Sequence, residues 1–227
     1  MVDKQTVQKL IHKIKLVLQK YIPSYWDGKN SILEMKNSDC RNWKQNEWIG
    51  WYFQYLCEKH LPESGMTIPG NKFGKSSFDG NLSIDWDFKS HPLLNKDGKS
   101  NKILIANDLE ATVLTIEQNG ITGLIVAVGK AEFDTDGSFR EWHKSLRGGE
   151  SKYSIANKER GAHNRIYKTG FKLFRIDFFI ISQDTLDTQG RFQEGMRNSN
   201  GNPRRSKLAL NLETVEPFDS LIITTEE

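Results

Sequence analysis

From Leu82 to Lys89 the chain alternates without a break, with Leu82, Ile84, Trp86 and Phe88 interleaved with Ser83, Asp85, Asp87 and Lys89. Successive side chains of a strand point to opposite faces, so the segment predicts a strand with an apolar face in a core and a row of charge on the other. His91-Pro92 closes it, because the residue before proline is restricted and the proline lacks an amide. Asp79 lies just upstream, in the run Ser76-Ser77-Phe78-Asp79-Gly80.

The rest of the chain supplies layers to cover such a strand. Val7, Leu10, Ile11, Ile14, Val17 and Leu18 fall at helical spacing and predict an amphipathic helix from about Asp3 to Lys20, ending before Pro23. Asp39 is placed to cap a second helix running to about His60, where Leu61-Pro62 stops it. Trp43, Trp48, Trp51, Tyr52 and Tyr55 make that helix aromatic on much of its circumference, which implies burial on more than one side. After the Gly/Pro/Ser-rich stretch Pro62 to Gly74 comes the charged strand. Asn95 to Gly98 then signals a turn, and Lys102 to Ala106 a paired strand. Asn107 or Asp108 caps a helix that ends at Asn119-Gly120, and Ile121 to Val128 has the nearly continuous apolar character of a buried central strand. A loop at Asp134 to Ser138 leads to a basic segment and a strong strand from Phe171 to Ser182. Short strands are expected at Leu208 to Leu212 and Leu221 to Thr224. The fold class expected is α/β, a central mixed β-sheet flanked by α-helices, in one domain spanning 1–227.

Length and composition suit that expectation: 227 residues, 37% of them hydrophobic, can bury one good-sized core. No run approaches the roughly 18 to 20 apolar residues that a membrane helix needs. Lysines interrupt the apolar positions of the N-terminus, unlike a secretory signal. A cytoplasmic protein without a membrane partner is expected. Cys40 and Cys57 show no Cys-x-x-Cys spacing and read as two reduced thiols. Charge is uneven: ten Lys/Arg against three acids between Arg140 and Arg175 give a local +7 in a chain of net +3. That region is basic enough to meet a polyanion.

The charged face has a chemistry of its own. Phosphodiester hydrolysis needs an attacking water, neutralisation of the phosphorane and a protonated leaving group; magnesium held by carboxylates organises all three. Asp79 and Asp87 supply hard oxygen ligands, with the backbone carbonyl of Phe88 as a third, and Asp85 is the alternative to Asp79. Lys89, on the face of Asp87, can position or deprotonate the attacking water or offset phosphate charge.

Asp79, the element Asp87-Phe88-Lys89 and the order helix, strands, helix, strand from about Asn42 to Val128 together resemble the PD-(D/E)XK nuclease superfamily, and within it the type II restriction endonucleases. Phe78 stands where that pattern has proline. The resemblance implies a restriction-endonuclease-like core over about 42–128, a Mg2+ cofactor, double-stranded DNA as substrate, and a homodimer matching a palindromic site. It also implies that a glutamate on the preceding helix joins the catalytic residues Asp79, Asp87 and Lys89; Glu47 is the residue expected there.

The basic region, about 140–207, is the expected DNA-contacting surface. Arg147 and the paired glycines after it precede a predicted helix carrying Lys152, Lys158, Arg160, Asn164, Arg165 and Lys168, and the helix N-terminus can approach a phosphate. Lys158, Arg165 and Lys168 fall within an arc of about 80° at helical spacing, while Arg160 points away. Arg160, Asn164, Arg165 and the loop Arg197 to Arg205, with Arg204 and Arg205 at its end, carry side chains able to read base edges. The function expected is Mg-dependent cleavage of a specific short duplex sequence. The alternatives are a repair or structure-specific nuclease on the same core, or a DNA-binding protein whose acidic strand is structural.

Overall fold

The computed structural model describes residues 3–69, 78–150, 152–159, 161, 166–189, 191–193 and 205–224. In chain order these hold α1 (Lys4–Tyr21), β1 (Tyr25–Asp27), α2 (Gly28–Asn37), a 3-10 turn at Arg41–Lys44, α3 (Trp48–His60), β2 (Gly80–Leu82), β3 (Ile84–Pro92), β4 (Ile103–Asp108) and α4 (Leu109–Asn119). There follow β5 (Ile121–Phe133), α5 (Ser138–Leu146), α6 (Lys152–Glu159), β6 (Lys168–Ser182), α7 (Gln183–Gln189), β7 (Arg191–Gln193), β8 (Lys207–Asn211) and β9 (Asp219–Ile222).

Helix α1 forms as its periodicity predicts. The Asp3 carboxylate accepts from the Thr6 amide at one end, Ile22 closes the other on the Leu18 carbonyl, and the six predicted apolar residues are buried. The single helix expected from Asp39 to His60 is instead split. Asp39 adopts φ +55°, and the Cys40 amide bonds back to the Met35 carbonyl, so Asp39 helps terminate α2 rather than starting a helix. The 3-10 turn intervenes, and α3 begins only at Trp48. Periodicity leaves β1 and α2 unannounced. Asp27 ends β1 and caps α2 through the Asn30 amide, and Ile32 and Met35 then enter the core.

Strand β5 runs parallel to β3 and antiparallel to β6. β2 closes one edge by pairing antiparallel with β3; the far edge of β6 carries β1 at Gly170 to Lys172 and β9 at Arg175 to Phe178. The result is a six-stranded mixed sheet flanked by helices. Strand β4, expected as a paired strand, joins β8 and β7 in a separate three-stranded sheet, where Leu104 and Ala106 share a core with Leu208 and Leu210. One core lies between α1 to α3 and the face bearing Trp86, Phe88, Ile125 and Phe178. The second lies between the opposite face, with Leu124, Val126 and Phe179, and the layer of α4, β4 and β8.

His143 of α5 shows how tightly the first layer is closed. It is fully buried, its Nε2 lies 3.0 Å from the Trp43 carbonyl, and among the described residues its Nδ1 has no hydrogen-bond partner. A carbonyl only accepts, so Nε2 carries the proton. Burial and then the nearby Arg147 charge push the imidazole pKa down to about 4. The stability contributed by the neutral ring is therefore fully present above the ordinary value near 6.5 and is lost as pH falls towards 4, by about 3 kcal/mol. Urea titrations at stepped pH should show that loss, and His143→Gln, which can still donate to Trp43, should flatten it. An unchanged acid slope in the variant would assign the loss elsewhere.

Candidate functional site

Leu82 pairs with Ile84 across Ser83, which takes φ +60°, and Asn81 and Gly80 pair with Asp85 and Trp86. The predicted single strand is thus a hairpin reversing over one residue. Asp79 lies just before β2, and its amide donates to the Trp86 carbonyl at 2.9 Å, next to Asp87. The short spacing between the two acids is what this reversal requires.

Both carboxylates face one ammonium. Lys89 Nζ lies 3.5 Å from Asp87 Oδ1 and 3.8 Å from Asp79 Oδ2, and the Asp87 side chain is only 8% exposed. Asp79 is held from two sides, by the Phe88 amide at 2.8 Å and by Gln54 Nε2 of α3 at 3.3 Å. Asn107 Nδ2, at the bulge of β4, donates to Asp87 Oδ2 at 2.9 Å. The amide and carbonyl of one strand residue point to the same edge, so the Phe88 carbonyl faces the Asp79 side as its amide does.

Burial pushes the Asp87 carboxyl up to about 6, against the pull of Lys89 and with the repulsion of Asp79. For Lys89 burial works against the charge, but Asp87 and Asp79 outweigh it and hold the ammonium above its usual value. The buried ammonium keeps its charge because two carboxylates face it.

Asp85 stands apart from this cluster. One of its carboxylate oxygens accepts from Asn81 at 2.7 Å and the other from Asn119 at 3.2 Å, tying β2 and the end of α4 to β3. Glu47 occupies the position before α3, two turns from Gln54, where it pairs with Lys168. The two line a pocket with Pro92, Leu94, Asn101 and Ile166, at the far end of β3 from Asp79. The glutamate that α3 directs to the acids is Glu58. It accepts from Gln54 at 2.7 Å, and burial raises its pKa against that bond, with Asp79 adding to the rise. A signal for it exists in the sequence: Gln54 and Glu58 are a polar i, i+4 pair in an otherwise aromatic helix. His91, near the end of β3, is buried with Nε2 2.7 Å from the Asn101 carbonyl.

The basic segment is dispersed. Helix α6 carries Lys152 and Lys158 but ends at Glu159, and Gly161 follows with φ +65°. Lys168, predicted on that helix, opens β6 instead, so the stripe it was to share does not form. Arg147 caps the end of α5, and its guanidinium is spent internally on the Lys44 carbonyl, Asn46 and Tyr167. Arg205 is exposed and pairs with Asp108 and Glu110. Arg160, Asn164, Arg165, Arg197 and Arg204 lie outside the described residues.

Among the described residues no group of three or more His, Cys, Asp and Glu side chains stands close enough to hold a metal ion, and no helix is long and apolar enough to cross a membrane. No family model, no curated protein and no solved structure matches the chain.

Proposed function

We propose that the protein is a magnesium-dependent endonuclease that cleaves duplex DNA at a specific short sequence, with the restriction-endonuclease-like core of the PD-(D/E)XK nucleases. The observation carrying this is the pair Asp79 and Asp87, facing each other across the β2–β3 hairpin with the Lys89 ammonium 3.5 to 3.8 Å from both. The element order supports it: α3, the hairpin, the crossover helix α4 and the parallel strand β5 surround the acids as such a core requires.

The donor set fits a hard cation. Asp79, Asp87 and the Phe88 carbonyl would hold it, all through oxygen, and magnesium needs only one or two carboxylates because it retains waters. When bound it supplies charge neutralisation and a more acidic water. Gln54 and the Phe88 amide fix the Asp79 carboxylate, and Asn107 fixes that of Asp87. Lys89 holds its proton and presents it between the acids, where it orients the attacking water and offsets charge gathering on the phosphate. A homodimer follows as part of the same proposal, since a two-fold protein matches a palindromic duplex.

Digestion of a sequenced plasmid with magnesium, against a chelator control, tests the reading. Discrete bands with mapped, recurrent ends are expected. A smear, or cutting confined to mismatched or branched DNA, would point to a repair nuclease on the same core; DNA shifted but intact would leave a binding protein.

A further inference from the structure

Outside the acidic site, the described residue pairs place three exposed lysines against two indoles. Lys36 at the end of α2 and Lys44 at the end of the 3-10 turn each hold Nζ 5.4 Å from the Trp43 ring, and Lys29 stands 5.7 Å from that of Trp142. None of the three has a carboxylate within ion-pairing distance among the described residues, whereas Lys15, Lys20 and Lys59 on neighbouring helices all do. An ammonium over an indole keeps its full charge and gains about 0.5 to 1 kcal/mol at an exposed site, so the patch is both fixed and electropositive.

Its foundation is rigid. His143 packs against Trp142, with ring centroids 5.9 Å apart and 27° between planes, and bonds to the Trp43 carbonyl, which links the two indoles. Arg147 clamps the Lys44 carbonyl from below at 3.0 Å. The turn also leads in sequence to α3, whose Gln54 donates to the Asp79 carboxylate at 3.3 Å.

We infer that the surface formed by Lys36, Lys44 and Lys29 around Trp43 and Trp142 binds the phosphate backbone of duplex DNA without regard to sequence, and guides it towards Asp79 and Asp87. The inference rests on the reading of the protein as acting on DNA. Cations with no carboxylate partner among the described residues answer a polyanion. Phosphate contacts position a duplex whereas base contacts specify it, and nothing in lysine over indole selects a base. The expected DNA surface thus extends to residues 29–44, well before the basic segment at Arg140 to Arg175.

Anisotropy of a labelled duplex, titrated with protein in a chelator across a salt series, tests this without any cleavage. Lys36→Gln/Lys44→Gln should raise the Kd about tenfold at about 50 mM salt and reduce the slope of log K against log salt by about 1.8, or 0.9 for each phosphate no longer neutralised. Lys9→Gln/Lys13→Gln, which removes the same charge from exposed positions of α1, should stay within about twofold of the parent. Unchanged binding in the first variant, an equal loss in the second, or a parent protein that binds no duplex overturns the inference. Binding that falls as expected in a protein that cuts nothing supports the surface and removes the nuclease reading alone.

Discussion

Lys89→Ala and Asp87→Asn should each lower single-turnover DNA cleavage by about 10³-fold or more, a loss of about 4 kcal/mol of transition-state stabilisation, while the far-ultraviolet spectrum stays that of the folded protein. The size follows from position. Lys89 is the cation held between Asp79 and Asp87, and Asp87 is 8% exposed, so neither bulk water nor a surface lysine can substitute for them. Asp79→Asn should be as damaging, because its carboxylate is the one oriented by the Phe88 amide and Gln54. Asp85→Asn is the discriminating control. The Asp85 carboxylate is occupied by Asn81 and Asn119, and its loss should weaken the hairpin and leave cleavage within about tenfold. Abolished cleavage in Asp85→Asn with normal cleavage in Asp79→Asn would reverse the choice between the two acids. Parent-like rates in Lys89→Ala and Asp87→Asn would remove the site.

The hairpin shows why one continuous alternation can span two strands: most of the expected strand is β3, and only its start lies on β2. A reversal centred on Ser83 pairs Leu82 with Ile84 and Asn81 with Asp85, so even- and odd-numbered residues keep their faces on both arms. Alternation passes through the turn undisturbed and cannot announce it. The grouping of Asp79 with Asp87 and Lys89 is therefore legible from spacing, while the means is not. Nor can spacing separate Asp79 from Asp85, since the answer lies in Asn119, thirty-four residues on, and in a register set by the turn. Asp39 misleads for another reason: aspartate suits both the start of a helix and a left-handed residue at its end, and only the Cys40 to Met35 bond decides. Helices α1 and α4 and strand β5 carry their own periodicity and caps, and all three lie where that periodicity puts them. Strand β4 also forms where expected, but its partner β8, which arrives about a hundred residues later, is not legible from it.

Trp86→Ala should cost about 3 to 5 kcal/mol of stability in urea denaturation, the largest structural effect expected of a single change near the site. Trp86 precedes Asp87 on β3, is fully buried, and meets Phe178 edge-on with centroids 6.5 Å apart. Its cross-strand partner is Gly123 of β5, and the indole lies over it. A Cβ on Gly123 would stand 2.3 Å from Trp86 Cε3, a distance the core can relieve only by moving the ring. Gly123→Ala should thus destabilise by about 1 to 3 kcal/mol in the parent, as overpacking does. The two costs have one origin and should not add: with alanine at 86 the added methyl enters vacated space, and Gly123→Ala should become neutral or stabilising. A double-mutant cycle measures that coupling directly. Additive costs would mean that Gly123 is required for its backbone and that the indole does not occupy its face. Among the described residues Trp86 Nε1 has no hydrogen-bond partner, so Trp86→Phe should cost less than its lost volume predicts, the unmet donor leaving with the indole. Asp87 is the next residue on the strand, so any displacement of Trp86 reaches the acidic cluster through one peptide unit. Gly123→Ala should accordingly reduce cleavage more than its stability loss alone explains.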